Sequence, residues 1–150
     1  MGRVVFICAG NICRSPAAER VFRLRAPRAG LNLASASFGL VARGGEAPIA
    51  DTVRAALALG VDVSDHRSCR FTPQGLAPGD LVLVMERAQR DTIRAHGLTG
   101  VEVTLLGSYA AHGPEEIDDP GEQPWPEFER CMREISAGVD GLIARLRRRR

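Results

Sequence analysis

The sequence predicts an α/β fold: a single domain over residues 1–150, built on an open sheet of about four parallel strands with helices on both faces. Three observations predict it. Val4-Val5-Phe6-Ile7 and the run DLVLVM at 80–85 are continuously apolar, the pattern of strands buried on both sides. Strand-like and helix-like segments alternate along the chain, which requires right-handed crossovers between parallel neighbours. Phe128, Cys131, Met132, Ile135, Val139, Leu142, Ile143 and Leu146 recur three and four apart, marking one side of a long terminal helix.

Taken in order, a strand over Val4–Ile7 leads to a helix opening at Pro16, a residue tolerated in a first turn. A second strand is expected over Leu31–Ser37, before the Gly- and Pro-containing stretch 39–48. Ile49–Leu59 reads as a helix with Ile49, Val53, Ala56 and Leu57 on a shared face and Gly60 at its end. The strand at 80–85 precedes a polar-faced helix over Glu86–His96, stopped by Gly97, and Val101–Leu105 supplies the last strand. No internal repeat or linker interrupts this order. In open sheets of this kind, ligands bind beyond the carboxyl ends of strands where the strand order reverses, and Cys8 is expected to stand there.

A chain of this length can bury roughly two-thirds of its unfolded surface without staples. With 45% hydrophobic and 25% charged residues it has the balance of a globular protein, not a disordered or fibrous one. A net charge of +2 provides no global drive towards nucleic acid. All 20 basic residues are arginine, and without lysine no complete nucleoside-triphosphatase P-loop exists. No apolar run reaches membrane-spanning length, and four apolar residues before Cys8 are too few for a secretory signal, so a cytoplasmic protein with no membrane partner is expected. The four cysteines, Cys8, Cys13, Cys69 and Cys131, then read as catalytic, redox-active or buried. Their spacing does not resemble zinc knuckles, and His66, His96 and His112 are scattered, so neither a metal nor a cofactor is expected. Arg145 and Arg147–Arg150 read as a solvated helix end whose charge complements the dipole.

The densest chemistry lies in CAGNICRSP, residues 8–16. One reading is a strand-to-helix turn that contains two cysteines. The other is an anion cradle: the loop from Cys8 through Ala9, Gly10, Asn11, Ile12 and Cys13 to Arg14 can turn backbone N–H groups onto one tetrahedral anion, while the following helix adds its positive end. Gly10 and Asn11 tolerate the left-handed backbone such a loop needs. Arg14 can grip two oxygens through its planar fork. In such a field thiol pKa values fall from about 8.5 to roughly 3.5–7.5, making Cys8 a thiolate at neutral pH.

CAGNICRSP resembles the signature loop of the low-molecular-weight protein tyrosine phosphatases. The likeness continues through SAS at 35–37, DHRSCR at 65–70, DLVLVMERAQ at 80–89 and DDP at 118–120. The resemblance implies a phosphatase I, flavodoxin-like fold that hydrolyses phosphotyrosine, or another aryl phosphate monoester, through a phosphocysteine on Cys8. Arg14 and the loop amides would clamp the phosphate, Ser15 would donate to the Cys8 sulfur, and Asp119 would serve as general acid and then base. Pro120 restricts the backbone of the residue before it, a constraint that the rival Asp118 lacks. Asn11, Ser15, Ser35 and His66 match positions whose hydrogen bonds hold the phosphate loop. Cys13 matches a second loop cysteine that can form a disulfide with the nucleophile, or is a small buried residue; Cys69 and Cys131 are expected to be inert. Implied partners are a tyrosine-phosphorylated protein or small aryl phosphate, inorganic phosphate as product, and a cognate tyrosine kinase.

The sequence departs from that pattern in places. The family's acid loop runs on into aromatic residues, whereas here it reads Gly121-Glu122-Gln123-Pro124-Trp125, and Trp125 either takes their place or staples the last helix. Phe38, Leu40 and Val41 are the candidates for an aromatic wall. The arginine-phosphatase branch tends to carry threonine where Ile12 stands, and a β-branched apolar side chain leaves room for a flat phenol while crowding a guanidinium, which favours aryl phosphate. The alternatives are a phosphoarginine phosphatase and a non-catalytic oxyanion-binding or redox-sensing module using Cys8 and Cys13. Arsenate reduction would need two further neighbouring cysteines, which Cys69 and Cys131 do not supply by spacing.

Overall fold

A computed structural model describes residues 2–149. Strands β1 (Val4–Cys8), β2 (Ser35–Gly39), β3 (Leu81–Val84) and β4 (Glu102–Leu105) alternate with helices α1 (Arg14–Arg28), α2 (Ala50–Leu57), α3 (Arg87–Arg94) and α4 (Trp125–Arg148). All three strand pairings are parallel, and the order is β2-β1-β3-β4. The chain leaves β1 for its neighbour on one side and returns for its neighbour on the other. The switch in direction therefore falls at the carboxyl end of β1, at Cys8, as this sheet type requires of a binding site.

The pleat sorts the strands' apolar residues between two cores. Val4, Phe6, Cys8, Leu81 and Leu83 face α1 and α4, where Phe22, Phe128, Ile135 and Leu142 complete one cluster. Val5, Ile7, Val82, Val84, Val103 and Leu105 face the opposite way, onto Ile93 of α3 and Phe71. The continuous apolar runs of β1 and β3 are thus explained by helices on both faces. On α4, Gly138 and Gly141 let the helix rest against the Leu106–Tyr109 turn; a Cβ on Gly141 would collide with the Tyr109 carbonyl oxygen. No described helix is long and apolar enough to cross a membrane.

Two boundaries differ from the sequence expectation. β2 begins at Ser35, not Leu31, because Leu31 closes α1: Gly30 takes φ +82°, its N–H donates to Pro27 O, and the Leu31 N–H donates to Ala26 O while the side chain enters the core. This is a Schellman stop, with the leucine as its hydrophobic contact. α1 itself begins two residues before Pro16, at Arg14, because the loop after β1 passes directly into helical backbone. At the other end α4 runs to Arg148 with exposed arginines in its last turn; Arg150 lies outside the described residues.

Asp80 clips the N-terminus of β1 to β3. Its carboxylate accepts from the Arg3 N–H (3.1 Å), Arg3 Nη2 (2.8 Å) and the Ala77 N–H (2.9 Å). Burial alone would raise its pKa, but these hydrogen bonds outweigh burial and hold the carboxyl below the usual carboxylate range. A depressed folded-state pKa stabilises the fold above the unfolded value, about 3.9, and that stability is lost as pH falls through the folded value. Asp80→Asn should therefore cost about 1–3 kcal/mol in urea unfolding at pH 7. The gap to wild type should shrink steadily below about pH 4; a gap independent of pH would contradict the clip.

Candidate active site

Between β1 and α1 the backbone carbonyls of Cys8, Ala9, Asn11, Ile12 and Cys13 are tied to the surrounding protein. Cys8 O accepts from Leu40 N (3.0 Å), Ala9 O from Val41 N (2.9 Å), Ile12 O from Ile49 N (3.0 Å) and Cys13 O from Ala17 N (3.3 Å). Asn11 O accepts from His66 Nε2 (2.8 Å), so this ring nitrogen carries the proton, and burial keeps the His66 pKa below its usual value. The loop's own N–H groups, residues 9–13, engage no protein acceptor among the described residues. Buried N–H groups need partners, and a row of them facing inward from a concave loop forms an anion site.

The loop is held from behind. Asn11 is the single described non-glycine with positive φ, +56°. It is fully buried, with Nδ2 donating to Ser15 Oγ (2.7 Å) and Ser37 Oγ (3.0 Å) and Oδ1 accepting from Cys69 N (2.9 Å). Gly10, also expected to be left-handed, is not; the strained step is carried by Asn11 alone. Gly39 is needed for a different reason: a Cβ there would lie 2.8 Å from Ala9 O and Asn11 N and push the loop away. Because Asn11 donates to Ser15 Oγ, the serine proton is left for Cys8 Sγ, 3.0 Å away, or the Phe38 carbonyl, 3.4 Å away.

Ser35 does not take the supporting role expected of it. Its hydroxyl donates to Glu19 Oε2 (3.1 Å) on α1, and the β2 serine in the loop network is Ser37. Ser35 sits two residues, roughly 7 Å, further from the carboxyl end of β2, out of reach of Asn11.

Arg14 is buried, and the pattern of its bonds explains how it is aimed. Nη1 donates to Glu86 Oε2 (2.5 Å) and to Ile117 O (2.8 Å), which uses both of its protons. Nε and Nη2 make no hydrogen bond to protein among the described residues, and Arg14 lines the same cavity as the loop. Burial works against the guanidinium charge, but Cys8, Glu86 and Asp119 outweigh it and hold the Arg14 pKa above its usual value. Asp119 Oδ2 stands 3.8 Å from Arg14 Nη2, while Asp119 Oδ1 accepts from Gly121 N (2.9 Å). Asp119, Cys8, Cys13 and Arg14 line a cavity of about 70 Å³ whose apolar walls are Ile12 and Ile49. Asp118 is absent from the lining; its carbonyl accepts from Arg130 Nη2 (3.0 Å).

The low molecular weight phosphotyrosine protein phosphatase model matches residues 3–150. The chain belongs to that family. It is 35% identical over 156 residues, covering 97% of this chain and 93% of the relative, to a low molecular weight protein-tyrosine-phosphatase of Streptomyces coelicolor. It is 28% identical to the protein-arginine-phosphatase of Bacillus subtilis, covering 89% of this chain and 93% of that one. The crystal structure of the low molecular weight protein tyrosine phosphatase of T. tengcongensis superposes with a TM-score of 0.86 at 26% identity, covering 97% of this chain and 99% of that one.

Within this family member, the candidates for an aromatic wall are absent from the cavity lining. Trp125 is the first residue of α4, packed on the core with the Arg54 guanidinium 3.9 Å above its ring, so it staples the helix. Phe38 and Leu40 pack against the opposite cluster, and Val41 is exposed. Sequence reasoning missed three residues that shape the site. Glu86 anchors Arg14, and Ile49 walls the cavity. Ile117 is fully buried, with its N–H on Met85 O (2.9 Å) and its carbonyl on Arg14, which pins the loop two residues before Asp119. A lone apolar residue in the acidic run PEEIDDP was its one available signal.

Proposed function

We propose that the protein hydrolyses phosphotyrosine or related aryl phosphate monoesters through a phosphocysteine on Cys8. The observation that carries this reading is the loop whose N–H groups 9–13 meet no protein acceptor among the described residues, with Cys8 and Arg14 lining one cavity beside it and Arg14 anchored through Nη1. Cys8 attacks phosphorus; the loop amides and Arg14 hold the charge spread over the three equatorial oxygens. Asp119 gives a proton to the departing phenolate oxygen, through the Oδ2 edge that faces the cavity. It then takes one from the water that cleaves the phosphocysteine, while Ser15 donates to the leaving sulfur. Asp119 also weighs against a purely binding or redox-sensing module, which would need no carboxylate beside the cradle.

The substrate reading rests on Ile12 and Ile49. Two β-branched apolar walls accept the flat faces of a phenol ring and crowd a branched guanidinium, for which Asp119 is the one carboxylate in the lining. The natural substrate is then a tyrosine-phosphorylated protein supplied by a cognate kinase. Four unpaired cysteines suit the reducing cytoplasm. Peptides carrying phosphotyrosine, phosphoserine or phosphoarginine test this directly. Phosphotyrosine should be turned over fastest without added metal, with release of inorganic phosphate; a preference for phosphoarginine would reverse the substrate assignment and leave the cradle intact.

A further inference from the structure

We propose that Arg130, on α4, is a positioning residue for Asp119: it grips the peptide carbonyl that precedes the acid and is itself held in a bracket between Glu127 and Glu134. The chain is tied down at Ile117 by Met85 and Arg14, and it becomes helical again at Trp125. Residues 118–123, which carry the acid, lie between these two anchors. The hydrogen bonds inside this stretch are local, from Gly121 N to Asp119 Oδ1 (2.9 Å) and from Gln123 N to Pro120 O (2.7 Å). Among the described residues, a single hydrogen bond joins the stretch to the rest of the protein, from Arg130 Nη2 to Asp118 O (3.0 Å).

All three nitrogens of the guanidinium are engaged. Nε donates to Glu127 Oε2 (2.9 Å), Nη1 to Glu134 Oε1 (2.7 Å) and Nη2 to the Asp118 carbonyl. Glu127 and Glu134 lie three residues before Arg130 and four after it, the spacings that set side chains next to one another on a helix. Exposed ion pairs add little stability, and stability is not what this bracket supplies. The two carboxylates fix a long side chain in one rotamer, and the rigid planar fork then carries its third nitrogen to Asp118 O. Both peptides that flank Asp119 are thereby set. Arg130 holds the one before it, and the buried Pro120 forms the one after it and disfavours helical backbone at Asp119. Asp119 lines the cavity and Asp118 does not, so a turn of the peptide between them would carry the acid away from the leaving oxygen. Proton transfer requires hydrogen-bond reach, and a displacement of about 1 Å can lower a rate by about 10²-fold.

The inference rests on the proposed role of Asp119 as general acid, and the test separates the two. It compares kcat/KM, which reports the step that releases the phenol, on phenyl phosphate and on dinitrophenyl phosphate, whose phenolate leaves without a proton. Arg130→Gln should lower kcat/KM on phenyl phosphate by about 10–10²-fold. Its kcat/KM on dinitrophenyl phosphate and its calorimetric affinity for inorganic phosphate should stay close to wild type. Combined with Asp119→Asn it should add no further loss, because it acts through that carboxylate. Arg130→Lys keeps the charge between the glutamates but offers one nitrogen where three are used, and it should show the same selective loss; it serves as the test if Arg130→Gln folds poorly. Equal losses on both esters, an added loss on top of Asp119→Asn, or full activity on phenyl phosphate would overturn the positioning role. A selective loss in Asp119→Asn that neither Arg130 variant shares refutes the positioning role alone. Unchanged phenyl phosphate turnover in Asp119→Asn refutes the acid assignment, and the role of Arg130 falls with it.

Discussion

Cys8→Ser is expected to lower aryl phosphate turnover by about 10⁴–10⁶-fold, the scale on which removing a catalytic nucleophile acts. The change is one atom in a fully packed position, and a serine hydroxyl can still pair with Ser15, so the fold should be kept. What is lost is a sulfur that can act as both nucleophile and leaving group. The cradle itself should survive, because its donors are the loop amides and Arg14. Calorimetry should therefore still detect inorganic phosphate binding to the variant while release from substrate stops. Turnover equal to wild type would end the phosphocysteine mechanism.

The second large effect falls on Asp119. Its replacement by asparagine keeps the size and the turn with Gly121 but removes the transferable proton, and kcat on phosphotyrosine should fall by about 10²–10⁴-fold. The loss should shrink when the leaving phenol is strongly acidic, since such a phenolate departs with little protonation. Asp118→Asn should remain close to wild type, because its side chain is outside the cavity. Equal losses on good and poor leaving groups would mean that Asp119 positions Arg14, from which it is 3.8 Å away, and is not the acid.

Much of this site was legible because its chemistry is contiguous. Cys8 to Ser15 lie in one uninterrupted stretch between a buried strand and a helix, so their shared cradle follows from chain geometry over a few residues. Asp119 was separable from Asp118 by the local effect of Pro120. Where the reading failed, the deciding partner was remote. Ser35 and Ser37 point to the same side of β2, and only the distance along the strand to Asn11 tells them apart. Trp125 looks like one more apolar helix residue, and only the fold brings the Arg54 guanidinium of α2 over its ring.

The sequence by itself determined the alternation of strands and helices, the two-faced burial of β1 and β3, and the loop with its nucleophile and arginine. These depend on periods of two and of 3.6 residues and on the conformational preferences of near neighbours. Only the tertiary structure decided that Glu86 and Ile117 aim Arg14 and that Ile49 joins Ile12 in lining the cavity. Those contacts join residues tens of positions apart, and their geometry is set by strand order and helix packing, which no short window of sequence contains.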